Sequence, residues 1–375
     1  MQDKLKIGFD AKRAFFNRSG LGNYSRDTIR ILSLLHPEND YFLYSPKKPD
    51  GSNFISSDNI KLRIPEGFIN SSFPSLWRSS GIVRDLKSDG IQIFHGLSNE
   101  IPLKLKKSGI NSVVTIHDLI FLTHPQYYKF IDRNIYRKKF TYSASHSDAI
   151  ITVSRKTKED VVNLLNINQD KVFVVYQGCN PIFNKAVTSE VKTEIRKKYG
   201  LPSEYLLCVG TIEERKNQLA LVKAVHEGRI DIPIVMVGRH TSYYSEIEKY
   251  IRVENLKNVI FLQNISTVDL PAIYQMATVF VYPSLAEGFG IPVVEALASK
   301  VPVITSEGGS MEEAGGAGAQ YINPENIDEL IYAIHSCVQD SNLRNRLISG
   351  GTAHSLQFTD LAIAENLMRV YHKVI

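Results

Sequence analysis

Two carboxylates, Glu287 and Glu295, stand eight positions apart in the run Glu287-Gly288-Phe289-Gly290-Ile291-Pro292-Val293-Val294-Glu295. Carboxylates accept hydrogen bonds from sugar hydroxyls, and Gly288 and Gly290 let backbone N–H groups approach a ligand closely. The preceding Val279-Phe280-Val281-Tyr282-Pro283-Ser284 reads as a buried strand, and Pro292 suits the first turn of a helix running through Ala298. Glu287 then lies at the strand's carboxyl end, with Glu295 about two turns later. Because a helix N-terminus attracts anions, one such site can grip two sugars joined by phosphates. A plainer reading has a first-turn acid complementing the helix dipole and Glu295 in solvent. It leaves Glu287 and both glycines without a role.

A second motif, Gly210-Thr211-Ile212-Glu213-Glu214-Arg215-Lys216-Asn217, follows an apolar strand and precedes the helical pattern Leu219, Leu221, Val222 and Val225. Arg215 and Lys216 at such a junction can neutralise a diphosphate. Adjacent loop charges are more often merely solvated, so it is the pairing with the glutamates that favours a site. Ser19-Gly20-Leu21-Gly22-Asn23-Tyr24 is a third, weaker glycine turn after the first strand. Val113-Val114-Thr115-Ile116-His117-Asp118 ends a strand with a histidine and an acid at the carboxyl edge, where ligands of parallel sheets bind. An isolated His-Asp pair is more often structural; Asp118 either orients the imidazole or touches an acceptor. Ser154 reads as the N-cap of a helix beginning near Arg155, and Glu313 as a helix-turn acid.

The elements that must carry these residues alternate short apolar strands with helical stretches, which predicts an α/β fold of parallel sheets covered on both faces. One strand series is Lys6 to Phe9, Ile91 to Phe94, Val113 to Ile116, Ala149 to Val153 and Val172 to Val175. A second is Tyr205 to Val209, Ile234 to Val237, Val259 to Leu262, Val279 to Tyr282 and Val301 to Thr305. The charged stretch from Lys185 to Gly200 reads as a linker and docking helix, and Thr359 to Ile375 as a terminal helix with Thr359 as N-cap. The 375 residues suffice for two cores. No apolar run approaches ~18 residues, and the first residues lead directly into a strand, so a cytoplasmic protein is expected. Cys179, Cys208 and Cys337 lack metal-ligand spacing and read as reduced structural thiols.

The paired glutamates resemble the motif of the retaining nucleotide-sugar glycosyltransferases of family 4, and the likeness runs from Ile7 to the final helix. His95-Gly96-Leu97-Ser98-Asn99-Glu100 and Gln177-Gly178-Cys179-Asn180-Pro181 resemble bacterial mannosyltransferase-type members acting on surface polysaccharides. The resemblance implies the GT-B fold: two facing Rossmann-like domains, 1–182 for the acceptor and 183–358 for the nucleotide-sugar donor, with 359–375 crossing back to pack on the first. It implies that Glu295 holds the ribose hydroxyls and Glu287 the donor sugar, with Gly288, Phe289 and Gly290 near that sugar or its diphosphate. Arg215 and Lys216 would hold the pyrophosphate beside Gly210; many members carry an arginine where this chain has Thr211. Gly20 and Gly22 would present backbone to the donor, and His117 would orient the sugar. The implied activity is transfer of a hexose, mannose favoured, from a nucleoside diphosphate sugar, GDP-mannose favoured, to a glycan or polyprenyl-diphosphate-linked glycan. No cofactor, metal or nucleic acid is expected. A nucleotide-sugar epimerase and a non-catalytic sugar-binding protein are the alternatives, since fold alone does not separate them.

Charge divides unevenly: residues 1–182 hold 26 Lys+Arg against 17 Asp+Glu, residues 183–375 hold 18 against 22, and the chain carries +5 overall. Within the basic half, residues 127–140 mix five cations with aromatics. As a helix, Phe130, Ile131, Asn134 and Ile135 share a face while Arg133, Arg137 and Lys138 can reach anionic headgroups. The apolar residues either pack on the sheet or meet a membrane; the charge excess favours peripheral contact at the inner membrane face. Phe68, Ile69, Phe73, Leu76 and Trp77 form a second apolar cluster expected to touch lipid.

Overall fold

The computed structural model describes residues 4–17, 19–49, 57–66 and 72–375. They form two compact units, Met1–Gly178 with Asp360–Ile375, and Cys179–Thr359.

The first unit holds seven strands: β1 Lys6–Asp10, β2 Asp40–Tyr44, β3 Ile60–Arg63, β4 Ile93–Gly96, β5 Asn111–Ile116, β6 Ala149–Thr152 and β7 Val172–Val174. Their order is β3-β2-β1-β4-β5-β6-β7, and every pair is parallel. Ile7, Phe9, Ile93, Val113 and Ile150 are fully buried, as strands covered on both faces require. β2 and β3 escape the sequence reading: β2 is a short aromatic run, and β3 is a half-buried edge alternating with Lys61 and Arg63. The glycine turn at Gly20 and Gly22 is the first turn of the helix Gly20–Leu35. A Cβ on Gly22 would lie 1.9 Å from the Asn17 carbonyl oxygen, whereas one on Gly20 would meet nothing within 4 Å. Gly22 thus serves close packing within the chain. Trp77 is 2% exposed and donates its indole N–H to Asp85 at 2.6 Å, so it belongs to the core rather than to a lipid-facing cluster. Phe73 and Leu76 are exposed; Phe68 and Ile69 lie outside the described residues.

The terminal helix Asp360–Val374 is part of this unit, burying Ile363, Leu367, Met368, Val370 and Tyr371. Arg30 clamps its first residue, Asp360, with two hydrogen bonds of 2.7 and 3.0 Å. Among the described residues no helix is long and apolar enough to cross a membrane.

The second unit holds β8 Leu206–Val209, β9 Ile234–Val237, β10 Val259–Leu262, β11 Val279–Tyr282, β12 Val303–Ser306 and β13 Ala319–Ile322. They run parallel in the order β10-β9-β8-β11-β12-β13. β13 follows Gly315-Gly316-Ala317-Gly318 and contains Gln320 and Tyr321, which hides it from hydropathy. The helix Ser189–Tyr199 packs within this unit, its Lys198 paired with Asp269 at 2.7 Å. In each sheet the chain reverses its direction of strand addition beside the first strand, at β1/β4 and at β8/β11. Crevices at the carboxyl ends of such switch points are where parallel α/β sheets bind ligands.

Candidate active site

The β8/β11 switch point gathers Arg215, Lys216 and Glu287 into one ion cluster. Beyond β8, Gly210 adopts φ +147°, and a Cβ there would sit 3.2 Å from Lys216 Cδ, so the glycine makes room for the lysine stem. Gly238, after β9, comes closer still: its Cβ would lie 1.8 Å from the Gly210 oxygen. The 3₁₀ turn Glu214–Lys216 then brings both cations to the loop after β11. Glu287 Oε1 accepts from Lys216 Nζ at 2.8 Å, Tyr282 Oη at 2.7 Å and Ser284 Oγ at 3.2 Å. Its Oε2 lies 2.9 Å from Arg215 Nη1. Lys216, 7% exposed, also bonds the Tyr282 hydroxyl, and Arg215 reaches Glu213 at 2.7 Å and the Ala286 carbonyl at 2.8 Å. Ser310 Oγ donates to the Glu287 carbonyl at 2.8 Å, fixing the loop.

Burial alone would raise the Glu287 pKa; Lys216 and Arg215 outweigh it and hold the carboxyl well below the usual range. Burial also works against the Arg215 charge, and Glu287 with Glu213 overcomes it, so the guanidinium stays protonated. The cluster is thus charged but balanced.

Glu295 lies in the helix Ile291–Ala298, half-buried, and its Oε2 accepts from Tyr274 Oη at 2.9 Å. Gly290 caps that helix at φ +118°, where a Cβ would lie 2.5 Å from Met311 Cε. Glycine is therefore required by both backbone and packing. The Phe289 ring is buried edge-on against Phe358, centroids 5.4 Å apart, while Gly288 is half-buried at the loop.

In the first unit, His117 sits at the end of β5, buried. Its Nε2–H donates to the Leu97 carbonyl at 2.9 Å, which fixes the tautomer and leaves Nδ1 to accept from Gln177 Nε2 at 3.1 Å. Burial lowers its pKa to about 4, so the ring is neutral at pH 7. Tyr24 meets it edge-on at 4.6 Å. The Tyr24 hydroxyl bonds Thr115 at 2.8 Å, Thr115 bonds His95 Nε2 at 2.8 Å, and His95 Nδ1 bonds Tyr371 of the terminal helix at 2.7 Å. Asp118 Oδ1 accepts from the Ile120 N–H at 3.1 Å, and Ser154 Oγ accepts from the Thr157 N–H at 3.0 Å, the cap its sequence position predicts.

Tyr282, Ser284, Tyr274, Tyr24 and Gln177 escape the sequence reading. A signal existed for Tyr282 and Ser284: hydroxyls closing a buried strand next to a charged motif must find partners.

Residues 191–354 match the family described as Glycosyl transferases group 1, and residues 30–182 match Glycosyltransferase Family 4. The chain belongs to these glycosyltransferases, and its two parallel α/β units have the GT-B architecture. Over 377 residues it is 28% identical to the O-antigen chain mannosyltransferase B of Escherichia coli, covering 95% of this chain and 96% of that protein. It is 31% identical over 219 residues to the O-antigen chain mannosyltransferase RfbU of Salmonella typhimurium, 57% of each chain. The Anabaena protein HepE, solved in complex with UDP, superposes with a TM-score of 0.77 at 16% identity over 99% of this chain and 100% of that one.

Proposed function

We propose that the chain is a retaining, metal-independent hexosyltransferase that moves mannose from a nucleoside diphosphate sugar, GDP-mannose favoured, to a glycan hydroxyl in surface polysaccharide synthesis. The observation that carries this reading is the Arg215–Lys216–Glu287 ion cluster at the β8/β11 switch point, with Lys216 buried and Arg215 and Glu287 half-buried. The choice of mannose rests on the likeness to the two O-antigen mannosyltransferases. As the bond from the anomeric carbon to the diphosphate breaks, negative charge grows on the leaving oxygens, and preorganised cations in a buried site stabilise it. Arg215 and Lys216 supply those cations. Donor binding turns them from Glu287 toward phosphate and releases the carboxylate to the sugar hydroxyls, while Glu295 takes the ribose. The acceptor hydroxyl attacks from the leaving-group face and passes its proton to a diphosphate oxygen, so no protein nucleophile is needed. His117 meets the sugar as a neutral imidazole by exchanging its Gln177 bond.

The acceptor of this reading is lipid-linked and presented at the inner membrane face. Phe130 and Ile131, on the helix Phe130–His146, are 73% and 71% exposed, so they do not pack on the sheet. Arg137, Lys138 and Lys139 of the same helix are exposed. Each cation near an anionic surface contributes roughly 1 kcal/mol, enough together for reversible attachment.

A screen of nucleotide release over nucleotide sugars, with and without glycan acceptor and with chelator, tests the proposal. Transfer is expected with one hexose donor, only with acceptor, and undiminished by chelator. Donor isomerisation without acceptor points to an epimerase, binding without turnover to a sugar-binding protein, and metal-reversible loss overturns the metal-free mechanism.

A further inference from the structure

The face of the first sheet that carries His117 also carries a line of buried polar side chains that sugar transfer leaves unused. Alternate residues of a strand point the same way, so His117, one residue past β5, continues the face of Thr115. Thr115 on β5, His95 on β4 and Tyr371 of the terminal helix are fully buried, and Tyr24 of the helix Gly20–Leu35 is buried beside them. Their contacts run in series: Tyr371 Oη to His95 Nδ1 at 2.7 Å, His95 Nε2 to Thr115 Oγ1 at 2.8 Å, and Thr115 Oγ1 to Tyr24 Oη at 2.8 Å. The Tyr24 ring then stands perpendicular to His117, centroids 4.6 Å apart. Arg30 and Asp360 join the same two helices at a second place.

One order of protons satisfies every donor in this line. Tyr371 donates to His95 Nδ1, His95 Nε2–H to Thr115, and Thr115 to Tyr24, whose own O–H has Thr28 beside it. Among the described residues, the reverse order leaves the buried Tyr371 O–H without an acceptor. Burial keeps the line uncharged at pH 7, lowering His95 to about 3 and pushing Tyr24 up to about 12. Stability does not call for such a line, because hydrogen-bonded partners exchanged for apolar groups of the same shape cost little. What a satisfied polar network adds is one fixed geometry.

His117 is the ring that needs it. Its nitrogens are bonded to Leu97 and Gln177, two in-plane contacts that set the ring's tilt about the line joining them only loosely. When Nδ1 exchanges Gln177 for the donor sugar, one of those contacts goes, and the perpendicular Tyr24 ring holds the tilt. We infer that Tyr24 is a positioning residue for His117, and that the terminal helix sets it in place through Tyr371, His95 and Thr115. The consequence for transfer rests on the transferase reading; the consequence for the His117 ring does not.

Imidazole NMR on the full chain with isotope-labelled histidine, His117 being assigned from His117→Gln, tests this beside steady-state transfer and melting of each variant. Thr115→Val and Tyr371→Phe, both close in shape to the residues they replace, are expected to move the His117 ring signals and to lower kcat at least about tenfold, with GDP affinity and donor KM within about twofold of wild type. Thr115→Ser, which restores the hydroxyl, is expected to return both readouts to wild-type values. Tyr24→Phe keeps the ring and loses its anchor; it should match Thr115→Val, and it serves where a core variant does not fold. A rate that falls with the melting temperature while the His117 signals stay in place would mark a structural role and overturn the inference. So would wild-type ring signals in either Thr115→Val or Tyr371→Phe. Ring signals that move in a chain that transfers no sugar keep the positioning and lose the transferase reading. A chain that transfers sugar and whose variants leave the ring unmoved does the reverse.

Discussion

Glu287 carries four of the contacts that hold the ion cluster together, from Lys216, Arg215, Tyr282 and Ser284. Removing it strips the buried Lys216 of its counter-ion and leaves the part-buried Arg215 with Glu213 alone, so Glu287→Ala is expected to cost about 3–5 kcal/mol of stability, measurable by denaturant unfolding, besides abolishing transfer. The sign with pH follows from the depressed carboxyl: its contribution is present above the ordinary value of 4.5 and is lost as pH falls below it. The gap between wild type and Glu287→Gln should therefore narrow on acidification from there. Glu295→Ala is expected to weaken nucleoside diphosphate binding by roughly 1.5–3 kcal/mol per lost hydrogen bond, with Tyr274→Phe shifting it the same way by less. Unchanged calorimetric affinity in Glu295→Ala would remove the ribose assignment. The glutamates and cations were legible because their motifs sit at strand ends. Their coupling was not: motif reading gave Glu287 to the sugar and the cations to the phosphate, whereas burial makes each the other's counter-ion. Tyr282, five residues before Glu287, looks from the sequence like one more apolar strand residue.

At the scale of elements, the helix Phe130–His146 presents apolar residues to solvent where a globular helix would bury them. Replacing Phe130, Ile131 and Ile135 by serine is expected to change stability by no more than about 0.5 kcal/mol per position, as for other exposed sites. The same variant should lose sedimentation with anionic liposomes and retain its fold. A large stability loss would mean that these residues pack within the protein instead. The interior strands were legible as apolar runs because they are buried on both faces, and β9, β10 and β11 end where hydropathy ends. Edge position, aromatic content and glycine context hid β3, β2 and β13. The turn at Gly20 and Gly22 shows the limit of motif reading: a Gly-x-Gly looks the same whether it admits a ligand or, as at Gly22, a neighbouring carbonyl.

Across the whole molecule, two buried neutral histidines tie acid stability to the first unit. Burial holds His117 to about 4 and His95 to about 3, against 6.5 when exposed. Their depressed folded values mean that stability is full above 6.5 and declines as pH falls through that window. The slope expected is about 1.4 kcal/mol per pH unit for each histidine. A melting series from pH 7 to pH 4 should show this fall, shallower in His117→Gln; a flat series would mean that the rings are not buried neutral. His95 joins the terminal helix through Tyr371 and β5 through Thr115, a connection between residues 276 positions apart that no local pattern reveals.

The central claim is that the balanced ion cluster of the second unit becomes the seat of a leaving diphosphate in sugar transfer without a protein nucleophile. The most direct measurement is the anomeric configuration of the glycoside formed from GDP-mannose, read by NMR alongside the GDP released. A new glycosidic bond with the donor's own configuration, and one GDP freed for each bond made, is the predicted result. An inverted linkage, or GDP-mannose isomerised with no glycoside formed, would contradict it.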